Sequence, residues 1–190
     1  MLTTNLSVRA GCAAFALVLV AGCGGSDDAE PKATKAPSTT AAPTTAAPAP
    51  AERPKDDKSD ASALAFAEFV GQRVIAVTTG ADLDEFLAMA TPDCKGCINL
   101  AKQVQKDGTV KQEFDSAPVI SDAKIIDQDE ATGQILVEQV VGLSTGRKVD
   151  TATDKTIETF DEPTRLTMRV LMTWKEDRWR LTNYSAKDES

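Results

Sequence analysis

No histidine occurs anywhere in the 190 residues, and tyrosine occurs once, at Tyr184. The first absence removes the commonest general base and every Ser–His or Cys–His nucleophilic pair, so an enzyme built on this chain has only carboxylates or one phenol to work with. It also removes the nitrogen ligands of most metal sites. Basic charge is in deficit, with 21 lysines and arginines against 29 aspartates and glutamates and a net charge of −8. The basic residues form no run or stripe, which argues against nucleic acid as a partner. No glycine-rich phosphate loop is present, because Gly22 to Gly25 fall in a leader and linker. There is no internal repeat, and nothing in the sequence asks for a cofactor.

What is present begins at the N-terminus. After Arg9, the twelve residues Ala10 to Ala21 are all small or apolar. A bilayer-spanning helix needs about 20 such residues, so this segment reads as the core of a signal peptide. It closes on Val20-Ala21-Gly22-Cys23, a lipobox in which small residues admit a peptidase and the Cys23 thiol can carry a diacylglyceryl thioether with palmitate-type chains. At roughly 0.8 kcal/mol per buried methylene, two chains hold a protein on a membrane where one is marginal. The expectation is a signal peptide over residues 1–22 and a lipid anchor at Cys23 on the extracytoplasmic face of the cell membrane. An ordinary secretory signal cut after Ala21 or Gly22 is the alternative.

From Gly24 to about Lys58 the chain turns to Ala, Thr, Pro, Ser and charge, with no aromatic residue. Such a segment buries too little apolar surface to offset its conformational entropy, so residues 23–59 are expected to be a lipidated cysteine followed by a disordered spacer. Residues 60–190 have the size of one domain.

Within that domain Phe66, Phe69, Val70, Val74 and Val77 recur at helical spacing, which predicts an amphipathic helix over Ala61 to Thr79 capped by Ser59 or Asp60. Asp82 is placed to cap a short second helix through the Glu85 amide. Pro92 is expected to open a third helix whose buried face carries Ile98, Ala101 and Val104 and which stops at Gly108. After Pro118 the period falls to two, predicting strands Val119–Asp127, Gln134–Leu143, Thr164–Trp174 and Arg178–Ser185. The last two should form a hairpin through Lys175-Glu176-Asp177, with Trp174 near Trp179. Ser144 to Glu162 reads as a projecting loop or ragged hairpin extension. The fold class is therefore α+β, helices first and then an antiparallel sheet.

That order, with the closing run Trp174-Lys175-Glu176-Asp177-Arg178-Trp179-Arg180-Leu181-Thr182, resembles the nuclear-transport-factor-2-like, or cystatin-like, superfamily. The resemblance implies helices packed on a curved four-stranded antiparallel sheet around a conical cavity. Phe66, Phe69, Thr79-Gly80-Ala81-Asp82, Leu87 and Cys94-Lys95-Gly96-Cys97 also look like an uncharacterised family of actinobacterial lipoproteins, over roughly residues 60 to 185. No function comes with that likeness.

Cys94 and Cys97 are the only cysteines left once Cys12 departs with the signal and Cys23 is acylated. Outside the cytoplasm they are expected to pair as a disulfide. A redox-active pair is the competing reading and requires an accessible sulfur of low pKa. Two sulfurs make only half a zinc shell, so no metal is expected. Phe66, Phe69, Met168, Trp174 and Trp179 are the candidate lining of a cavity for a small apolar ligand, or else ordinary core. An isomerase-like or dehydratase-like enzyme would need at least one buried carboxylate pointing into the cavity, with Asp122, Glu138 and Asp161 the candidates; the superfamily resemblance implies a tyrosine beside it, and Tyr184 is the one this chain has. Arg165, Arg169 and Arg180 form either a patch for an acidic partner or internal pairs, with Glu138 among their acceptors. The leading expectation is a non-catalytic interaction module at the cell envelope, its partner an envelope protein. A small-ligand carrier, an enzyme of the kind just named and a thiol–disulfide redox protein are the rivals.

Overall fold

A computed structural model describes residues 52–189. The signal peptide, Cys23 and most of the linker lie outside the described residues.

Three helices precede seven strands. α1 (Asp60–Thr78) starts where the Ser59 hydroxyl accepts the Ser62 amide at 3.1 Å, and ten of its residues are buried, among them Phe66, Phe69, Val70, Val74 and Val77. α2 (Leu83–Leu87) follows, with the Asp82 carboxylate accepting the amide of Asp84 rather than that of Glu85. α3 (Lys95–Asp107) begins three residues after Pro92, with Cys94 as its cap. Its inward stripe is Cys97 and Leu100, with Val104 half-buried, while Ile98 is 41% exposed. The expected face was thus one residue out of phase, because the cysteine pair and not Ile98 turns toward the core.

The strands are β1 (Val110–Phe114), β2 (Val119–Asp129), β3 (Gln134–Leu143), β4 (Gly146–Asp150), β5 (Lys155–Phe160), β6 (Thr164–Lys175) and β7 (Arg178–Asp188). They form two antiparallel sheets, one of four strands in the order β2-β3-β6-β7 and one of three in the order β1-β4-β5. The four strands expected from the sequence make up the first sheet. The second was not anticipated: the stretch read as a loop or ragged hairpin extension supplies β4 and β5, and β1 joins them. β1, β4 and β5 respectively adjoin β2, β3 and β6 in sequence, so three lanes of strand run from one sheet into the other across short links. Hydrogen bonds from the Asp115 amide to the Thr145 carbonyl (2.9 Å) and from the Ser116 amide to the Ser144 hydroxyl (3.0 Å) tie two of these links together.

Alternation on the large sheet is strict where it matters. Ile135, Val137, Gln139 and Val141 of β3 and Met168, Val170 and Met172 of β6 turn inward against α1. Burying each large apolar side chain contributes roughly 1.5–3 kcal/mol, which is why this face fixes the register. The β6–β7 turn has Glu176 and Asp177 both at positive φ, 56° and 55°, the conformation a two-residue hairpin loop needs to match strand twist.

One element belongs to the expected spacer. Residues 52–59 lie along β7, where the Arg53 guanidinium donates to both Asp56 carboxylate oxygens and to the Trp179 carbonyl (2.8 Å) and stacks 4.8 Å over the Phe66 ring. The Trp179 amide returns a bond to Asp56 (3.1 Å), and its indole N–H donates to the Asp57 carbonyl (3.0 Å). Burial works against the charge of Asp56, but the Arg53 guanidinium and the Trp179 amide outweigh it and hold the carboxyl below the ordinary aspartate range. The described fold therefore includes residues 52–59, ahead of residue 60.

Candidate functional site

Four of the five residues expected to line a cavity, Phe66, Phe69, Met168 and Trp179, are at most 8% exposed and pack against one another in the core. Trp174 is half-buried and meets Trp179 edge-on, with ring centroids 5.2 Å apart. The space between α1 and the large sheet is filled by the side chains that were candidates to surround a ligand.

The polar groups in that interior are informative. Among the described residues, only Ser62, Arg73 and Gln139 are buried and polar, so no carboxylate faces inward. Arg73 reaches out to Glu85. Gln139 is fully buried and donates its amide to the Ala67 carbonyl at 3.0 Å, leaving its own carbonyl oxygen without a partner. An unsatisfied buried acceptor costs about 1–3 kcal/mol, so Gln139→Met, which keeps the volume, is expected to leave stability unchanged or raise it by about 1 kcal/mol in urea denaturation. A loss above about 2 kcal/mol would mean that the amide is needed where it is.

The enzyme candidates are dispersed. Asp122 is exposed on β2 and Tyr184 lies on β7, the two edge strands of the large sheet, with β3 and β6 between them. Asp161 is exposed in the link between β5 and β6. Glu138 lies on the outer face, where hydrogen bonds from Lys124 and Arg169 hold its carboxyl below the usual range. Burial pushes the Tyr184 phenol up to about 12, away from the value an acid–base group needs near neutral pH. The three arginines form no patch: Arg169 pairs with Glu138 (2.9 Å), Arg165 with Glu189 (3.6 Å) and Arg180 with Glu176 (2.9 Å).

Cys94 and Cys97 form a disulfide with Cα atoms 5.3 Å apart, and both residues are 1% exposed. Thiol exchange needs an approach path to one sulfur, and this pair has none. Instead the turn it closes docks on β7. The Gly96 amide donates to the Asn183 side chain at 2.9 Å, and a Cβ on Gly96 would run into the Tyr184 carbonyl oxygen. Among the described residues no group of three or more Cys, Asp or Glu side chains is arranged to hold a metal.

Among the described residues, two concave surfaces lie outside that interior, and the wider, of about 570 Å3, is a polar one on the outer face of the large sheet lined by Glu138, Thr167, Arg169, Ser185 and Lys187 among others. A groove of about 170 Å3 runs between the C-terminal ends of α1 and α3 and the three-stranded sheet, with Val77, Leu100, Val104 and Val110 among its lining and Lys111 and Lys148 at its rim. Sequence reasoning missed it because it depends on β1 and β4. The same small sheet carries Phe114 and Phe160, whose rings stack 6.5 Å apart across Gly146. A Cβ at Gly146 would strike the Glu113 carbonyl, so glycine is required there. The groove and these rings occupy the end of the domain reached by the C-terminus of α1, whereas the strap holds the end near its N-terminus. Along α1 the strap meets Ser62 and Phe66 and the groove begins at Val77, so at 1.5 Å per residue roughly 16–23 Å of helix lies between them.

No family model matches this chain, and no curated protein does so either. Among solved structures, the intermembrane space region of the chloroplast protein ARC6 is 13% identical, with a TM-score of 0.48 over 72% of this chain and 100% of that one. Aln2 from a Streptomyces species is 7% identical, with a TM-score of 0.42 over 65% of this chain and 88% of that one. An NTF2-like protein from Cytophaga hutchinsonii is 14% identical, with a TM-score of 0.40 over 64% of this chain and 94% of that one.

Proposed function

We propose that this chain is a lipid-anchored extracytoplasmic protein whose domain, a cone-like fold of the nuclear-transport-factor-2 type, is a non-catalytic module that recognises a partner through its surface. The observation that carries this reading is the filled interior. With Phe66, Met168 and Trp179 packed into the core, an apolar carrier ligand has no space there, and no buried carboxylate is present among the described residues to do acid–base work. Recognition then falls on the groove and small sheet at the end away from the strap. The lipobox ending at Cys23 and the tether after it favour this arrangement, since a module held off the membrane at one end offers the other.

Both halves are testable in cells. Cys23→Ala is expected to abolish metabolic palmitate labelling and remove the chain from the membrane fraction; unchanged labelling would overturn the anchor. A photo-crosslinking residue at Gln103, on the groove rim, is expected to give a discrete adduct that the same residue at Glu130, exposed in the β2–β3 turn, does not. Equal adducts from the two positions, or none from Gln103, would overturn the assignment of the recognition surface.

A further inference from the structure

β7 is an edge strand of the large sheet, and its outward backbone groups are covered in two different ways. At Leu181 the cover is main chain: its carbonyl accepts the Thr91 amide at 2.8 Å, and its amide donates to the Met89 carbonyl at 3.0 Å. At Trp179 the cover is two side chains of the strap. The Asp56 carboxylate accepts the Trp179 amide, and the Arg53 guanidinium donates to the Trp179 carbonyl while lying over the Phe66 ring. Among the described residues no backbone–backbone hydrogen bond ties residues 52–58 to the rest of the domain. Their remaining anchors are the Ser62 hydroxyl, bonded to the Lys55 carbonyl and the Asp57 amide, and the Trp179 indole, which donates to the Asp57 carbonyl. The Arg53 side chain is 30% exposed. A segment with no ladder, held by partly solvated side chains, opens at a free energy well below that of global unfolding.

The surface beneath the strap is apolar. Phe66 is fully buried and Trp179 is 3% exposed, so lifting residues 52–58 uncovers the face of the Phe66 ring beside a free backbone N–H and a free C=O on Trp179. These three features form a seat whose chemistry is read from its occupant. The ring face takes a flat cation, the carbonyl takes a donor on that cation, and the amide takes a carboxylate. The occupant's own ion pair, between Arg53 and Asp56, holds the two side chains at the matching spacing. Arginine meets the first two demands at once through its planar fork, which lysine lacks. We infer that residues 52–58 are a lid that opens while the rest of the domain stays folded, and that the vacated seat binds a segment of a partner protein in which arginine is followed three residues on by aspartate or glutamate. The lid is then a competing ligand carried on the chain itself, at the high effective concentration of an attached segment. This goes beyond recognition at the groove, which lies at the other end of α1.

The test is nuclear magnetic resonance on the chain as isolated from cells, isotopically labelled at tryptophan and valine. In the parent, the Trp179 backbone amide is expected to exchange about a hundredfold faster than the amide of Val170 in the middle of the large sheet, at a rate that low urea does not change. Equal rates that rise together with urea would mean that the strap leaves only when the whole domain unfolds, and would overturn the lid. In the variant Arg53→Ala, Asp56→Ala the seat is vacant, and a synthetic peptide of residues 52–58 added in trans is expected to shift the Trp179 amide and indole signals saturably. In the parent, and with a peptide carrying citrulline in place of arginine, about ten times the concentration should be needed for the same shift. No shift at millimolar peptide, an equal response to the citrulline peptide, an equal response from the parent, or a variant that loses its fold would each overturn the proposal.

Discussion

Trp179→Ala is expected to lower the stability of the domain by about 3–5 kcal/mol, the range for removing a large buried aromatic. The residue is 3% exposed and closes the core beneath Trp174, so its loss leaves a cavity with a rigid sheet on one side. It also removes the indole donor to the Asp57 carbonyl and the Ser62 hydroxyl, although the backbone bonds to Arg53 and Asp56 do not depend on the side chain. Against a typical margin of 5–15 kcal/mol this is a large fraction, and in a domain of this size it corresponds to a drop in Tm on the order of 10–20 °C. Trp179→Phe keeps most of the packing and loses only the donor, so about 1–2 kcal/mol is expected. Urea denaturation of both variants separates the two contributions. An alanine variant within 1 kcal/mol of the parent would mean that the strap and this tryptophan do not close the core.

Gly96→Ala tests the corner held by the disulfide, and two effects of opposite sign compete there. Replacing a helical glycine by alanine ordinarily stabilises by about 0.5–1 kcal/mol. At this position the new Cβ meets the Tyr184 carbonyl oxygen and the edge of its ring, and a backbone atom within a ladder cannot swing away as a side chain can. Overpacking of this kind costs about 1–3 kcal/mol, and separation of α3 from β7 would also weaken the Gly96–Asn183 hydrogen bond. The clash should win, with a net loss of about 1–2 kcal/mol and faster amide exchange at the start of α3. A stabilised variant would show that α3 does not sit on β7 this closely.

The sequence displayed the large sheet because its strands carry the signal themselves: Ile135, Val137 and Val141, and Met168, Val170 and Met172, are all buried at a spacing of two. α1 was legible for the same reason at helical spacing. The small sheet was not, because Val149 is the one fully buried hydrophobic residue in its three strands, and a strand with nothing to bury shows no period. α3 was placed one residue out of phase since Ile98, Ala101 and Val104 form as good a stripe as Cys97, Leu100 and Val104, and only the docked cysteine pair decides between them. The strap was invisible for another reason: Arg53 and Trp179 are 126 residues apart, and a polar run looks like a spacer until its long-range partner is known. As for the site, residue spacing showed which side chains face inward, but not whether they enclose a void or fill it. The groove escaped because it is bounded by strands that local pattern does not reveal.

The unequal burial of the two sheets has a consequence for motion. The large sheet shares one core with α1 and α2, so opening it means losing most of that core at once. The small sheet contributes little to the core, and β5 is held by a single ladder to β4. Cooperative units of a protein open at free energies that follow the burial each carries, from near zero at frayed edges up to the global value. The segment from Gly146 to Phe160 should therefore unzip and reclose many times for each unfolding of the whole domain, giving the chain one rigid body and one yielding margin in a single run of strands.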